Sequence, residues 1–249
     1  MIIDAHCHIH FPQFERDRDE VINRALDADV AMINSAVSPD GIISALKLSE
    51  KYDKVYATLG LSPPELNDSI VEETLKLIEE YSKDIVAIGE VGLDYYWVKK
   101  REKRDLEKAN FGKFIQLADR LNKPLVIHSR DAESDVLDML KPQDMGVMLH
   151  CFSGTIKELR EAVSREYLVS IPASIIYSKQ KQKIAKETPL DLIVLETDSP
   201  FLAPKPRTRN EPVNVKKVAE KIAEIKGLDL EVVQMVSTEN AKEFFGLCL

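Results

Sequence analysis

Eight short stretches rich in β-branched and other apolar residues recur along the chain, and each is followed by a segment in which apolar residues have helical spacing. The predicted strands are 2–9, 30–37, 55–61, 85–91, 124–128, 146–151, 167–173 and 192–197. The predicted helices are 19–28, 41–52, 70–81, 101–121, 131–140, 155–165, 180–188, 213–226 and 230–245. Alternating strands and helices imply parallel pairing with right-handed crossovers, and eight such units close most naturally into a (β/α)8 TIM barrel of the α/β class.

An open, doubly wound sheet is the alternative architecture. Such a sheet would carry a glycine-rich phosphate-binding loop after the first strand, whereas residues 6–10 read His-Cys-His-Ile-His. The length of 249 residues suits one barrel, so residues 1–249 are predicted to form a single domain. The segment 200–212, with four prolines, is predicted to be a long active-site loop rather than a linker.

The overall charge limits the ways in which a polyanion could bind. The formal net charge is −8, which argues against attraction of nucleic acid to the whole surface.

The three cysteines form no Cys-x-x-Cys pair, and no stretch is apolar and long enough to span a membrane. We therefore expect a cytoplasmic protein with no membrane association.

Side chains able to bind metal stand where five of the predicted strands end. His6 and His8 lie two residues apart, and side chains at that spacing on a strand point to the same face. In a TIM barrel the carboxyl ends of the strands meet at one mouth, where the chemistry takes place. The predicted metal ligands are His6, His8, Glu90, His128, His150 and Asp198.

Four imidazoles and two carboxylates suit borderline divalent cations, and six ligands suit two ions about 3.5–4 Å apart. We predict two divalent ions, Zn²⁺, Mn²⁺ or Mg²⁺. Such a pair activates water and stabilises charge on a phosphoryl group, so the predicted reaction is hydrolysis of a phosphodiester. Asp198 is the predicted proton acceptor for the attacking water.

Three further polar residues near these positions receive other interpretations. His10 stands next to Phe11-Pro12, where the strand should turn into a loop, so it is expected to line the pocket rather than bind metal. Glu196 shares a face with Asp198 and could orient a ligand, whereas Asp94 could also be a hydrogen-bonding loop residue. Cys7 and Cys151 follow predicted ligands directly and are expected to be small buried hydrophobic residues.

Motifs along nearly the whole chain resemble the TatD-type metal-dependent deoxyribonucleases of the amidohydrolase superfamily. They are Asp4-Ala5-His6-Cys7-His8, Gly89-Glu90-Val91-Gly92-Leu93-Asp94-Tyr95, His128-Ser129-Arg130, His150-Cys151-Phe152-Ser153-Gly154, residues 196–204 (Glu-Thr-Asp-Ser-Pro-Phe-Leu-Ala-Pro) and Arg209-Asn210-Glu211-Pro212. The resemblance implies a barrel hydrolase that acts on DNA. It also implies that one metal is held by His6, His8, Glu90 and Asp198. Glu90 would bridge to a second metal held by His128 and His150, so Glu90 is also assigned a catalytic role.

One motif departs from the family pattern. The family typically carries Gly-x-His-Pro-His after strand three, on the substrate side of the site, whereas this chain reads Gly60-Leu61-Ser62-Pro63-Pro64. We expect metal binding to persist and substrate choice to change. The predicted substrate residues are Ser62, Arg130, Arg207 and Arg209. Basic residues that follow strands four, seven and eight are predicted to form a rim that attracts DNA or a small phosphodiester: Lys99, Lys100, Arg101, Lys103, Arg104, Lys179, Lys181, Lys183, Lys205, Arg207 and Arg209.

Two other functions fit the same residues. One is attack on a cyclic amide, lactone or ester; many such sites use a lysine on strand four, where this chain has Glu90. The other is a catalytically weak scaffold that binds metal and nucleic acid, which Ser62-Pro63-Pro64 suggests. Turnover of DNA and of simple phosphodiesters distinguishes the three.

Overall fold

A computed structural model of the chain describes residues 1–140 and 145–248; residues 141–144 and 249 of the predicted domain lie outside that part. Eight parallel strands follow one another in chain order around a single sheet. They are β1 (Ile2–Cys7), β2 (Val30–Ala36), β3 (Val55–Leu59), β4 (Ala87–Asp94), β5 (Leu125–Arg130), β6 (Val147–His150), β7 (Leu168–Ile171) and β8 (Ile193–Leu195). The prediction of a (β/α)8 barrel is confirmed.

The α-helices cover the outside of the sheet. They are α1 (Arg18–Asp27), α2 (Pro39–Lys51), α3 (Asp68–Glu80), α4 (Arg101–Leu121), α5 (Glu133–Met139), α6 (Ile156–Ser164), α7 (Lys179–Glu187), α8 (Val215–Lys226) and α9 (Leu230–Phe245). Their ends follow local chemistry: Thr155 and Glu158 form a capping box at the start of α6, and α8 and α9 end at Gly227 and Gly246 with positive φ. No helix in the described ranges is long and apolar enough to cross a membrane.

Backbone hydrogen bonds join the first strand to the segment that follows the last. Asp198 N donates to His6 O at 3.0 Å, and His8 N donates to Ser199 O at 2.7 Å. The buried Asp4 side chain adds a third link, because its Oδ1 accepts from Thr197 N at 2.7 Å. These bonds complete the barrel at its carboxyl end, beside the predicted metal ligands.

Two hydrophobic layers support the barrel. The larger layer packs the strands against the surrounding helices. The smaller layer contains Val126, Met148 and Val194 from three strands, together with Phe245 of α9. On each of these strands an ionisable residue stands two positions later, and that residue lies on the same face of the strand. His128, His150 and Glu196 therefore lie above an apolar floor.

Candidate metal centre

The position of Glu90 depends on an irregularity in β4. The register between β4 and β5 shifts between Ile88 and Val91. A Cβ at Gly60 would lie 2.2 Å from Glu90 O, and a Cβ at Gly92, whose φ is +151°, would lie 1.9 Å from His128 O. Only glycine allows such close approach of neighbouring strands. These glycines let the chain direct Glu90 toward the centre of the barrel mouth.

Asp198 follows the end of β8 and lies against the end of β1. Its φ is +55°, a left-handed conformation that Asp tolerates better than most residues. Asn210, which is fully buried, donates through Nδ2 to Thr197 O at 2.8 Å and so fixes the preceding peptide. As a result Asp198 Oδ1 lies 3.4 Å from His8 Nε2 and 4.0 Å from His6 Nε2.

Glu90 lies at the centre of the histidines. Its Oε2 is 2.8 Å from His6 Nε2, 3.7 Å from His150 Nε2 and 3.9 Å from His8 Nε2. Its Oε1 faces His128, whose Nδ1 is 3.5 Å away. The two carboxylate oxygens therefore face different histidines, as a bridging carboxylate requires.

Hydrogen bonds on the far side of each ring orient three of the histidines. His8 Nδ1 lies 2.7 Å from Ser35 O, His6 Nδ1 lies 3.1 Å from Ser35 Oγ, and His150 Nδ1 lies 2.8 Å from Glu196 Oε2. With the proton on Nδ1, each ring presents the Nε2 lone pair to the centre. His128 is reversed, because its Nε2 contacts Asp94 Oδ2 at 3.1 Å and its Nδ1 faces Glu90.

The charges at this site favour a cation. Burial raises the pKa of Glu90, but contact with His6 and the charge of His150 outweigh it and hold that pKa well below its ordinary value. Burial alone would lower the pKa of His150, but the Glu196 and Glu90 carboxylates raise it to about 9. Burial raises the pKa of Asp198, yet its contact with His8 lowers it overall. The carboxylates therefore stay ionised, and the negative charge that favours a proton on His150 also favours a metal ion.

The residues present fit a divalent metal. Two groups have ligand atoms that all lie within 4.8 Å of one another, namely His6, Glu90 and His150, and His6, His8 and Asp198. Glu90 Oε2 is buried and has no hydrogen-bond partner among the described residues, although His6 Nε2 is close to it. Imidazole nitrogens and carboxylate oxygens directed at one buried space are the arrangement that a shared cation satisfies. His128 lies beside Glu90 but outside these two groups.

The three neighbouring polar residues have distinct roles. Glu196 is fully buried and contacts His150, in agreement with the interpretation that it orients a ligand. Asp94 contacts His128 in the same way. His10 Nδ1 lies 2.9 Å from Asn34 Oδ1 and its ring is 6.2 Å from that of His8, so it lines the site. Cys7 is buried as expected, whereas Cys151 is half-buried.

The predicted substrate residues differ in exposure and contacts: three are exposed arginines and one is a half-buried serine. Arg130 is exposed, and its guanidinium lies 3.7 Å from the centre of the Tyr96 ring. Arg207 is exposed in the loop after β8. Ser62 is half-buried in a groove that it shares with Ser38 and Pro39, and its N–H donates to Val37 O.

Two members of the predicted basic rim require correction. Arg209 makes a two-pronged ion pair with Asp17, contacts Glu211 and donates to Gln13 O at 2.9 Å, so its guanidinium is bound within the protein. Lys181 is only 6% exposed, and its Nζ donates to Cys151 O at 2.6 Å and to Phe152 O at 2.7 Å. Both cations hold loops in place. Lys181 therefore does not belong to an exposed rim, and that prediction is wrong. Arg209 is exposed but already paired with carboxylates, so we expect it to add no phosphate contact.

Three groups beside the site were not predicted from the sequence. Tyr96 and Trp97 follow Asp94 and are 43% and 66% exposed. Phe11 stacks on His8, with the ring centres 4.6 Å apart. Glu107 of α4 is buried, and its Oε1 accepts from Asp94 N at 2.8 Å. The aromatic run Tyr95-Tyr96-Trp97 directly after a predicted ligand strand was the available signal for the first group.

A surface cavity of about 710 Å³ lies at the opposite end of the barrel, where Pro124, Gly146 and Leu192 adjoin strand starts. In TIM barrels that end serves stability, whereas the chemistry takes place at the carboxyl end, where the predicted metal ligands converge.

Comparison with known proteins gives consistent matches over the whole chain. The family model described as "TatD related DNase" matches residues 3–246. An uncharacterized metal-dependent hydrolase of Methanocaldococcus jannaschii is 39% identical over 98% of this chain and 96% of its own length. Deoxyribonuclease TATDN3 of Homo sapiens is also 39% identical, over 98% of this chain and 94% of its own. The crystal structure of a TatD homologue from Escherichia coli K12, YJJV, has a TM-score of 0.91 and 26% identity, covering 99% of this chain and 98% of that one.

Proposed function

The chain belongs to the TatD related DNase family, and on this basis we propose that it is a divalent-metal-dependent phosphodiesterase that hydrolyses DNA. The observation that carries the proposal is the convergence of three imidazole nitrogens on one buried carboxylate oxygen of Glu90 that has no hydrogen-bond partner among the described residues. We also propose that residues 1–249 act as one hydrolase domain.

We propose that the centre holds two ions. His6, His8, Glu90 and Asp198 would hold the first, and Glu90, His128 and His150 the second. The split of the Glu90 oxygens between His6 and His128 supports a bridging role for Glu90. His150 Nε2 lies 3.7 Å from Oε2, on the side of His6, so its assignment to the second ion rests on the family resemblance. When bound, two divalent ions lower the pKa of water and stabilise charge on phosphoryl oxygens. The ions proposed are Zn²⁺, Mn²⁺ or Mg²⁺, because imidazole and carboxylate ligands together accept all three.

The protein's own groups supply orientation and proton transfer. Asp198 is the proposed proton acceptor for the attacking water, since its carboxyl has a lowered pKa and therefore starts ionised. Glu196 and Asp94 hold the rings of His150 and His128. Phe11 stacks on His8, and the Phe201 ring centre lies 6.1 Å from that of Phe11, so the side of the centre next to His8 is apolar.

The test is turnover by purified protein loaded in turn with each of the three metals, on a DNA oligonucleotide and on a small phosphodiester. We expect hydrolysis of both by the wild-type chain. Glu90→Gln should lower the rate by several orders of magnitude, because it removes the proposed bridge. Glu50→Gln, at an exposed carboxylate on α2, is the matched control.

Other outcomes identify the alternative functions. Hydrolysis of lactones or cyclic amides without hydrolysis of phosphodiesters would replace the proposal by the amidohydrolase alternative. Metal and DNA binding without turnover would indicate the scaffold that Ser62-Pro63-Pro64 suggests.

A further inference from the structure

Two neighbouring aromatic side chains are exposed beside the metal centre, and the proposed chemistry does not use them. Tyr96 and Trp97 pack edge to face, with ring centres 5.0 Å apart. Single exposed apolar residues are common on protein surfaces, but adjacent large aromatic groups flanked by cations are typical of recognition surfaces. Trp97 is also the one tryptophan in the sequence.

The loop that carries this pair is firmly held. The residues on either side are buried: Tyr95 is 7% and Val98 is 5% exposed. Arg104 stacks on the Tyr95 ring at 4.1 Å and donates through Nε to Val98 O at 2.8 Å. The exposure of Tyr96 and Trp97 is therefore set by an anchored backbone.

The same loop is tied to the proposed metal ligands. Trp97 N donates to Asp94 Oδ1 at 3.0 Å, while Asp94 Oδ2 contacts His128 Nε2 at 3.1 Å. One carboxylate thus lies between the Trp97 backbone and the ring of a proposed ligand, so the loop stands at the edge of the metal centre.

Two cations lie on the Tyr96 ring. The Arg130 guanidinium is 3.7 Å and the Lys99 ammonium 4.9 Å from the ring centre. A guanidinium stacked on an aromatic face keeps its in-plane N–H donors available for a phosphate. In a chain with a net charge of −8, this local pair of cations is complementary to a polyanion.

We propose that Tyr96, Trp97, Lys99 and Arg130 form a nucleotide-binding subsite, in which an unpaired base stacks on the Trp97 indole and the adjoining phosphate meets Arg130 and Lys99. This subsite rests on the proposed function, since it binds the same DNA strand that the metal centre cleaves. Stacking on an aromatic side chain strengthens binding roughly five- to 160-fold per base in other proteins that bind single strands, and is tolerant of sequence.

Tryptophan fluorescence tests the proposal directly, because Trp97 is the sole source of the signal. The metal-loaded protein is mixed by stopped flow with a dT oligonucleotide or with an abasic strand of equal length, so that binding is recorded before hydrolysis. We expect quenching by the dT strand and little or none by the abasic strand. Equal quenching by both strands, or none by either, would overturn base stacking at this site.

Affinity measurements with a dye-labelled dT strand give a second, independent readout. Trp97→Ala should weaken binding roughly five- to 160-fold, and Trp97→Phe should weaken it less. Met235→Ala, at a side chain that is 61% exposed on α9, is the matched control and should bind as the wild type does. Arg130→Gln should reduce the logarithmic salt slope by about one, whereas Trp97→Ala should leave the slope unchanged.

These results separate the subsite from the proposed function. If the wild-type chain cleaves DNA but Trp97→Ala binds the dT strand with wild-type affinity, the subsite is overturned and the hydrolase proposal stands. If base-dependent quenching occurs without cleavage of any phosphodiester, the subsite stands and the hydrolase proposal fails.

Discussion

Replacing Glu196 by Gln should weaken metal binding without disturbing the ligands themselves. Glu196 is fully buried, and its Oε2 lies 2.8 Å from His150 Nδ1 and accepts from Ser170 Oγ at 2.6 Å. The substitution keeps the size of the side chain and removes its charge. His150 then loses the anionic partner that fixes its tautomer and increases the basicity of its Nε2.

The size of the effect follows from the role of such partners in other metal sites. Loss of a carboxylate that orients a ligating histidine costs about 10- to 100-fold in metal affinity, or roughly 1.4–2.7 kcal/mol. The assay is competition for Zn²⁺ against a fluorescent chelator, with circular dichroism to verify the fold. Ser170→Ala, which removes only a hydroxyl donor to the same oxygen, is the matched control and should change affinity less. If Glu196→Gln binds Zn²⁺ as tightly as the wild type while folded, His150 is not a ligand oriented by Glu196.

Three further predictions concern the surroundings of the centre. Arg207→Gln should lower the logarithmic salt slope of DNA binding by about one, whereas Arg209→Gln should leave it unchanged, since Arg209 is paired with Asp17; equal effects would contradict that pairing. Burial raises the pKa of Glu107 to about 7 from an ordinary value of 4.5, so this side chain stabilises the fold while it is protonated, and that contribution is lost as the pH rises through 7. Urea unfolding of metal-free protein should therefore show Glu107→Gln gaining about 2–3 kcal/mol over the wild type between pH 5 and pH 8, and parallel pH profiles would refute this. Ser62→His should alter the DNA cleavage rate but leave the metal content measured by elemental analysis unchanged, because Ser62 lies in a groove with Ser38 and Pro39 rather than among the ligands; a changed metal content would contradict this separation.

Much of the architecture was predictable because the apolar pattern changes period at each element. The predicted bounds of α4 and α9 agree with the structure, and every strand lies within a few residues of its prediction. The convergence of metal-binding side chains was predictable for the same reason, since parallel strands in a barrel share one carboxyl end. What the pattern could not provide was the register shift in β4 that directs Glu90 toward the other ligands.

The contacts that were not predicted from the sequence join distant segments of the chain. Lys181 belongs to a run of lysines and glutamines that is typical of a solvated helix surface. Its side chain is nevertheless buried, because its ammonium group donates hydrogen bonds to the carbonyls of Cys151 and Phe152. Glu107 sits in a highly charged helix and is buried because the Asp94 N–H needs an acceptor. Arg209 forms an ion pair with Asp17, which lies more than 190 positions earlier in the chain. No local sequence pattern indicates such a contact.

The most direct test of the proposed metal centre is a crystal structure of the protein grown with Mn²⁺ or Zn²⁺, with anomalous scattering recorded at the metal edge. We predict two anomalous peaks about 3.5–4 Å apart, one on each side of the Glu90 carboxylate. The first should lie among His6, His8 and Asp198, and the second between His128 and His150. A single peak, or a peak pair that Glu90 does not contact, would contradict the proposed centre.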